Sequence, residues 1–197
     1  MNEFRVIDPT PGSTSAFLWR HEEYHISTYS WSPAGNQIVY MAYDPEPDQW
    51  EQRKAYIVSP TVGMPEELLP EGWFPTRVAW SPDGNQICFD SQQDGSYNLW
   101  IVSRTGENPT QLTIDPADDA QPAWSPDGSQ IAFSSNRSGS YDIWVVSATG
   151  ENPTRMTFGE DAEVSPQWSP DGRAISFSGA VPSGFAWKYD IWVLYLE

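Results

Sequence analysis

Five residues ahead of two of its tryptophans the chain carries an acid, Asp119 before Trp124 and Glu163 before Trp168. Asp118 and Asp161 lie in the same connecting segments, 115–121 and 159–165. Several carboxylate oxygens converging on one point are what a hard cation requires. The matching positions ahead of Trp31 and Trp80 are Ile26 and Pro75, so half of such a set is missing, and solvated acidic loops account for the same residues. A second group is aromatic. Trp50 in segment 44–54, and Phe185 and Trp187 in segment 179–188, stand outside every repeated position. Gathered together, such side chains anchor interfaces; folded back, they shield a sheet edge. Trp50, Phe185, Trp187, Asp118, Asp119, Asp161 and Glu163 are therefore the candidate binding residues.

Other chemistry finds little support in the residues. His21 and His25 stand four apart in a segment that reads as extended, so they share no helix face, and they lack a third metal ligand. Gly-x-Ser-x-Gly, a phosphate-cradling glycine loop ending in Lys, and His-Glu-x-x-His are all missing. The adjacent carboxylates Asp118 and Asp119 do not define the separation that glycosidic chemistry needs. Neither a catalytic group nor a cofactor is expected. Asp142 and Asp190, with Asn98 at the matching place, precede third-strand tryptophans by two residues and read as side chains bonding nearby backbone. Arg137 reads as half of a structural ion pair.

Charge and composition narrow the partners. With 10 Lys and Arg against 27 Asp and Glu, a formal charge of −17 opposes phosphate backbones and anionic headgroups, and favours a cationic protein surface. No window of about 18 residues is apolar enough to span a bilayer. Cys88 sits alone in an apolar run, as a small buried hydrophobe. The opening residues Met1 to Thr10 lack a basic start and an apolar stretch, so no secretory signal is expected within the chain.

The elements that must hold these residues are written in a repeat. Trp31-Ser32-Pro33-Ala34-Gly35, Trp80-Ser81-Pro82-Asp83-Gly84, Trp124-Ser125-Pro126-Asp127-Gly128 and Trp168-Ser169-Pro170-Asp171-Gly172 recur at spacings of 49, 44 and 44. Each continues into an apolar run such as Ile131-Ala132-Phe133, then a second such as Trp144-Val145-Val146. Two copies add an identical Thr-Gly-Glu-Asn-Pro-Thr, beginning at Thr105 and Thr149. Short β-branched or aromatic runs between Pro, Asp, Asn and Gly read as strands joined by tight turns. A four-stranded unit cannot bury both of its faces alone. Stacking copies about an axis does so, and predicts an all-β fold, a β-propeller of four-stranded antiparallel blades.

The phase of the repeat divides the single domain. Residues 1–20 hold the last two strands of an incomplete blade, followed by blades at 26–70, 75–114 and 119–158 and a blade at 163–197 lacking its last strand, 17 strands in all. If the segment near Phe17 and Leu18 pairs beside the last blade, four blades close a ring. Otherwise the chain is an open arc whose edges invite a homodimer or additional blades. The first and third turns fall on one face of the array, and the second turns and blade links fall on the other. The second face carries loops that differ between blades, where binding resides. In a closed ring, Trp50, Phe185 and Trp187 would meet on it.

Trp-Ser-Pro-Asp-Gly, Ile-Ala-Phe, Ser-Ser-Asn-Arg-Ser-Gly, Tyr-Asp-Ile-Trp-Val-Val and Thr-Gly-Glu-Asn-Pro-Thr together resemble the WD40-like repeat of TolB-type propellers, most closely over residues 76–163. That resemblance implies a propeller, usually of six or more blades, serving protein binding in the bacterial periplasm or envelope, or attached to prolyl-oligopeptidase-like peptidases or signalling domains. The expected function is a noncatalytic protein- or peptide-binding module. The alternative is the substrate-gating propeller of a serine peptidase whose catalytic domain lies outside this chain.

Overall fold

Every copy of the pentapeptide folds as the same tight turn, and its hydrogen bonds explain the residues. Ser81 N–H donates to the Gln86 carbonyl at 2.9 Å, and Gly84 N–H, at φ +71°, to the Ser81 carbonyl at 3.0 Å. Ser81 Oγ accepts the Gln86 N–H at 2.9 Å and donates to Asp83 Oδ1 at 2.6 Å. The same bonds recur around Ser125 and Ser169. Where Ala34 replaces the aspartate, Ser32 Oγ donates to Asn36 Oδ1 instead, at 3.0 Å. The turn thus survives the substitution through a neighbouring acceptor.

The computed structural model describes residues 2–6, 16–21, 25–43, 53–61, 64–93, 95–183 and 186–196, and only the backbone of 2–6, 16–21, 181–183 and 186–188. The regular elements among them are all strands. β1 (Asn2–Val6) pairs with β2 (Ala16–His21). Three four-stranded antiparallel blades follow, each ordered along the chain: β3 (His25–Trp31) to β4 (Ile38–Tyr43), β5 (Lys54–Val58) and β6 (Glu66–Glu67); β7 (Pro75–Trp80) to β8 (Gln86–Ser91), β9 (Asn98–Ser103) and β10 (Thr110–Gln111); and β11 (Asp119–Trp124) to β12 (Gln130–Ser135), β13 (Asp142–Ser147) and β14 (Thr154–Arg155). The last sheet has three strands, β15 (Glu163–Trp168), β16 (Ala174–Ser183) and β17 (Ala186–Tyr195). These are propeller blades. β1 and β2 form a sheet of their own, so β2 does not close the last blade, and β17 has a free edge among the described residues.

The cores lie between sheets. Val39, Met41, Ala55 and Ile57 of the first blade bury against Val78, Trp80, Ile87 and Phe89 of the second. Cys88, Leu99 and Ile101 bury against Ile131, Phe133 and Val146 of the third, where burial raises the Cys88 thiol pKa well above its usual value. Ile143 and Val145 then bury against Ile175 and Phe177 of the fourth. Each strand uses both faces, so the second strands read as continuous apolar runs. Two indoles also stitch inner strands together, Trp124 Nε1 donating to the Ala79 carbonyl and Trp168 Nε1 to the Ala123 carbonyl, each at 3.2 Å.

The third turns repeat for the same reason. Gly106 (φ +79°) and Gly150 (φ +86°) lie so near the preceding blade that a Cβ would stand 2.0 Å from the Leu68 carbonyl oxygen and 2.6 Å from that of Leu112. Replacing Gly106 by Ala should lower unfolding free energy by about 2–4 kcal/mol in urea denaturation, through both the positive φ and the collision.

The turn aspartates Asp83, Asp127 and Asp171 are held below the usual carboxylate range, first by the serine hydroxyl each accepts and then by following backbone N–H groups. Their contribution to stability is present above the unfolded carboxylate pKa and disappears as pH falls through the lower folded values. Thermal melts should therefore lose midpoint on acidification below pH of about 4, and Ser125→Ala should raise the Asp127 pKa as read by carbon-detected NMR titration.

Candidate functional site

All four inner strands carry a bulge at one height. Pairing of β3, β7, β11 and β15 with the second strands shifts register between Ile26 and Thr28, Pro75 and Val78, Ala120 and Ala123, and Val164 and Gln167. In the last two blades the bulged residues, Gln121 (φ +60°) and Ser165 (φ +58°), occupy the left-handed region and precede Pro122 and Pro166. A proline within a strand is tolerated where the ladder is already broken. The left-handed backbone of a non-glycine residue costs roughly 1–3 kcal/mol, so something must hold it.

Hydrogen bonds from the preceding blade do so. The fully buried carboxylate of Asp90 accepts Thr76 N–H at 2.9 Å, Thr76 Oγ1–H at 2.7 Å and Arg77 N–H at 2.8 Å through Oδ1. Its Oδ2 reaches the next blade and accepts Gln121 N–H at 2.8 Å. Gln121 Oε1 in turn accepts Ser165 N–H at 2.7 Å and the Ser134 hydroxyl at 3.0 Å. A relay from Asp90 through Gln121 to Ser165 thus shapes three consecutive inner strands.

These strands enclose a polar channel. A cavity of about 340 Å³ is lined by Thr28, Arg77, Gln121, Gln167 and neighbours from all four blades. Beside it opens a mouth of about 490 Å³, lined by Ser27, Thr28, Tyr43, Arg53, Thr76, Arg77, Ala120 and Gln121. Among the described residues no acid lines this mouth. Arg77 is exposed and Arg53 half-buried. Neither joins an ion pair among the described residues, whereas Lys54 holds Glu67 at 3.0 Å, Arg137 holds Asp119 at 2.5 Å and Arg155 holds Asp142 at 3.0 Å. Both guanidiniums line the mouth, and a guanidinium matches the geometry of a carboxylate or a similar anion.

The acids singled out from the sequence are placed differently from one another. Asp119 is fully buried under Arg137, whose guanidinium also lies 4.7 Å from the Trp144 ring centre. Asp118 joins blades, accepting Tyr97 N–H at 3.0 Å and, weakly, Tyr141 OH at 3.4 Å. Asp161 is exposed. Glu163 is half-buried with Oε2 lacking a partner. Among the described residues no three His, Cys, Asp or Glu side chains gather as a metal site would need. Trp50 and Phe185 lie outside the described residues, and Trp187 is described only as backbone in β17. Of the recurrent polar residues, Asn98 does accept a backbone N–H, that of Asp115 at 3.4 Å, but Asp142 takes the Arg155 guanidinium and the Ser138 hydroxyl. Arg53, Arg77, Gln121 and Ser165 escaped the sequence reading; the cue for the last two was the residue-proline pair repeated 44 apart, Gln121-Pro122 and Ser165-Pro166.

A family model described as the TolB beta propeller domain matches residues 3–186. The chain belongs to that family. This TolB-type propeller superposes on putative TolB from Agrobacterium tumefaciens with a TM-score of 0.67 at 20% identity, covering 93% of this chain and 81% of that one. With TolB from Acinetobacter baumannii the TM-score is 0.70 at 22% identity, over 92% of this chain and 44% of that one. A puromycin hydrolase gives 0.74 at 18% identity, and there the propeller spans 28% of the larger chain. Among curated proteins, none matches at the level of sequence. At these identities the likeness to solved structures is one of fold.

Removing the Asp90 carboxylate should test the relay. Asp90→Ala leaves the N–H groups of Thr76, Arg77 and Gln121 without their acceptor and should cost about 2–4 kcal/mol by chemical denaturation, with amide NMR shifts extending to Ser165 in the blade after next.

Proposed function

We propose that this TolB-type propeller is a noncatalytic module that holds a protein or peptide at the mouth of its central channel. The observation that carries the reading is that two guanidiniums, Arg53 and Arg77, line that mouth without acidic partners among the described residues. The −17 charge steers a cationic partner surface toward the module, while the mouth takes an acidic group of that partner, such as a C-terminal carboxylate. Trp50, Phe185 and Trp187 are the proposed aromatic anchors around it, and Asp118, Asp161 and Glu163 the proposed contacts for cationic side chains. The bacterial envelope is the compartment that accords with family membership.

A second reading follows from the fold shared with puromycin hydrolase: a substrate-gating propeller within a serine peptidase. A reading frame joining this chain to a Gly-x-Ser-x-Gly domain, with peptide hydrolysis by the whole product, would select it.

The first reading is tested with fluorescent basic peptides carrying either a free C-terminal carboxylate or an amide. The carboxylate form should bind more tightly, and Arg53→Ala with Arg77→Ala should weaken it about tenfold or more, with the melting temperature held within a few degrees because Arg77 is exposed. Equal binding of the two peptides would remove the channel mouth from the mechanism.

A further inference from the structure

The connection from the first blade to the second departs from its repeats at three positions, each time toward a larger apolar residue. Backbone bonds align the three connections: the N–H groups of Leu68, Leu112 and Met156 donate to the Ala55, Leu99 and Ile143 carbonyls, each at 2.8 Å. One residue further on, the Thr113 and Thr157 hydroxyls accept the Leu99 and Ile143 N–H groups at 3.0 and 2.9 Å, whereas the first connection has buried Leu69. Five and six residues on, it has Trp73 and Phe74 in place of Ala117 and Asp118, or of Asp161 and Ala162. Asp118 accepts the Tyr97 N–H at 3.0 Å, and the counterparts of that pair in the first blade are Phe74 and Arg53. An aromatic ring therefore stands where the next connection offers a carboxylate.

Leu69, Pro70, Trp73 and Phe74 line a cleft of about 270 Å³. Trp73 is fixed by the core, edge-on to Phe89 and Trp100 with ring centres 5.5 and 4.8 Å away, and Phe74 is 37% exposed. The cleft falls below the range of small-molecule pockets, about 300–1,000 Å³, so it suits a single side chain. Of its two cations, Lys54 is held by Glu67 at 3.0 Å, while Arg53 joins no ion pair among the described residues. Arg53 lines both this cleft and the channel mouth. One guanidinium thus borders a place for an anion and a place for an apolar group.

We propose that the cleft takes the last side chain of the bound partner, a large apolar residue whose own carboxylate lies on Arg53 at the mouth. The partner is then a basic peptide or protein tail that ends in an aromatic or branched apolar residue. Glu71, an exposed acid on the cleft that joins no ion pair among the described residues, is the group a basic residue just upstream in that tail would meet. This inference rests on the channel-mouth reading and adds selectivity to it. The mouth alone accepts any free C-terminus, and the cleft chooses among them by their final side chain.

Four fluorescent basic peptides of one sequence, ending in Phe or Ser and in a carboxylate or an amide, separate the two ideas. The Phe acid should bind at least about tenfold more tightly than the Ser acid, the gain expected from burying one aromatic side chain, and should shift the Trp73 indole N–H resonance where the Ser acid does not. Phe74→Ala supplies the residue that the third connection has at this place, Ala162. It should cut the Phe-to-Ser ratio to within about threefold while the carboxylate-to-amide ratio and the circular dichroism stay unchanged, and Phe74→Leu should keep most of the preference. Equal binding of the Phe and Ser acids would overturn this inference and leave the mouth standing, provided acid and amide still differ. Equal binding of acid and amide would remove the mouth, and the placement of the last side chain with it. A Phe preference that survives Phe74→Ala would also overturn the inference, because the side chain then sits elsewhere.

Discussion

A blade of this protein has two apolar faces and no means of hiding either by itself. That constraint organises the molecule. The buried residues form clusters across the junctions, and the second strands, flanked on both sides, carry apolar residues at consecutive positions such as Ile38-Val39-Tyr40 and Ile131-Ala132-Phe133. Turn geometry serves the same end. Gly106 and Gly150 recur because the neighbouring backbone comes too close for a side chain, and the indoles of Trp124 and Trp168 bond a carbonyl of the previous inner strand.

The polar residues answer a second demand, that the inner strands bend around an axis without losing their backbone partners. Asp90 satisfies four donors in two blades at once, and Gln121 repeats the device one junction later with an amide oxygen. What the channel offers a ligand is then decided by residues outside the repeat. Arg53 comes from the long connection between second and third strands and Arg77 from an inner strand, and both line the mouth because the two blades stand side by side.

This division explains how far the sequence could be read. Whatever recurs was legible: the Ser-Pro-Asp-Gly turns and the antiparallel four-stranded blades follow from positions that repeat, although of the repeated tryptophans Trp80 is buried between blades while Trp31 and Trp192 are more than half exposed. The four acids were visible as a set, yet their fates differ through partners remote in sequence. Asp119 meets Arg137, 18 residues later, and is absorbed into the fold, whereas the fourth blade offers Glu163 no such arginine. That Arg53 and Arg77 share one mouth has no sequence spacing to betray it. Closure depended on whether one strand, β2, joined the last blade, and among the described residues it pairs with β1 only.

The relay also has a direction. Asp90 acts on the blade after its own, and Ser134 and Gln121 act on the next, so the third unit is shaped by its predecessor and shapes its successor. A unit that carries both the acceptor and the receiving amide is a module that fits beside a duplicate of itself. Lengthening the array by tandem gene duplication of one 44-residue period would therefore create a working seam at once, without compensating change elsewhere.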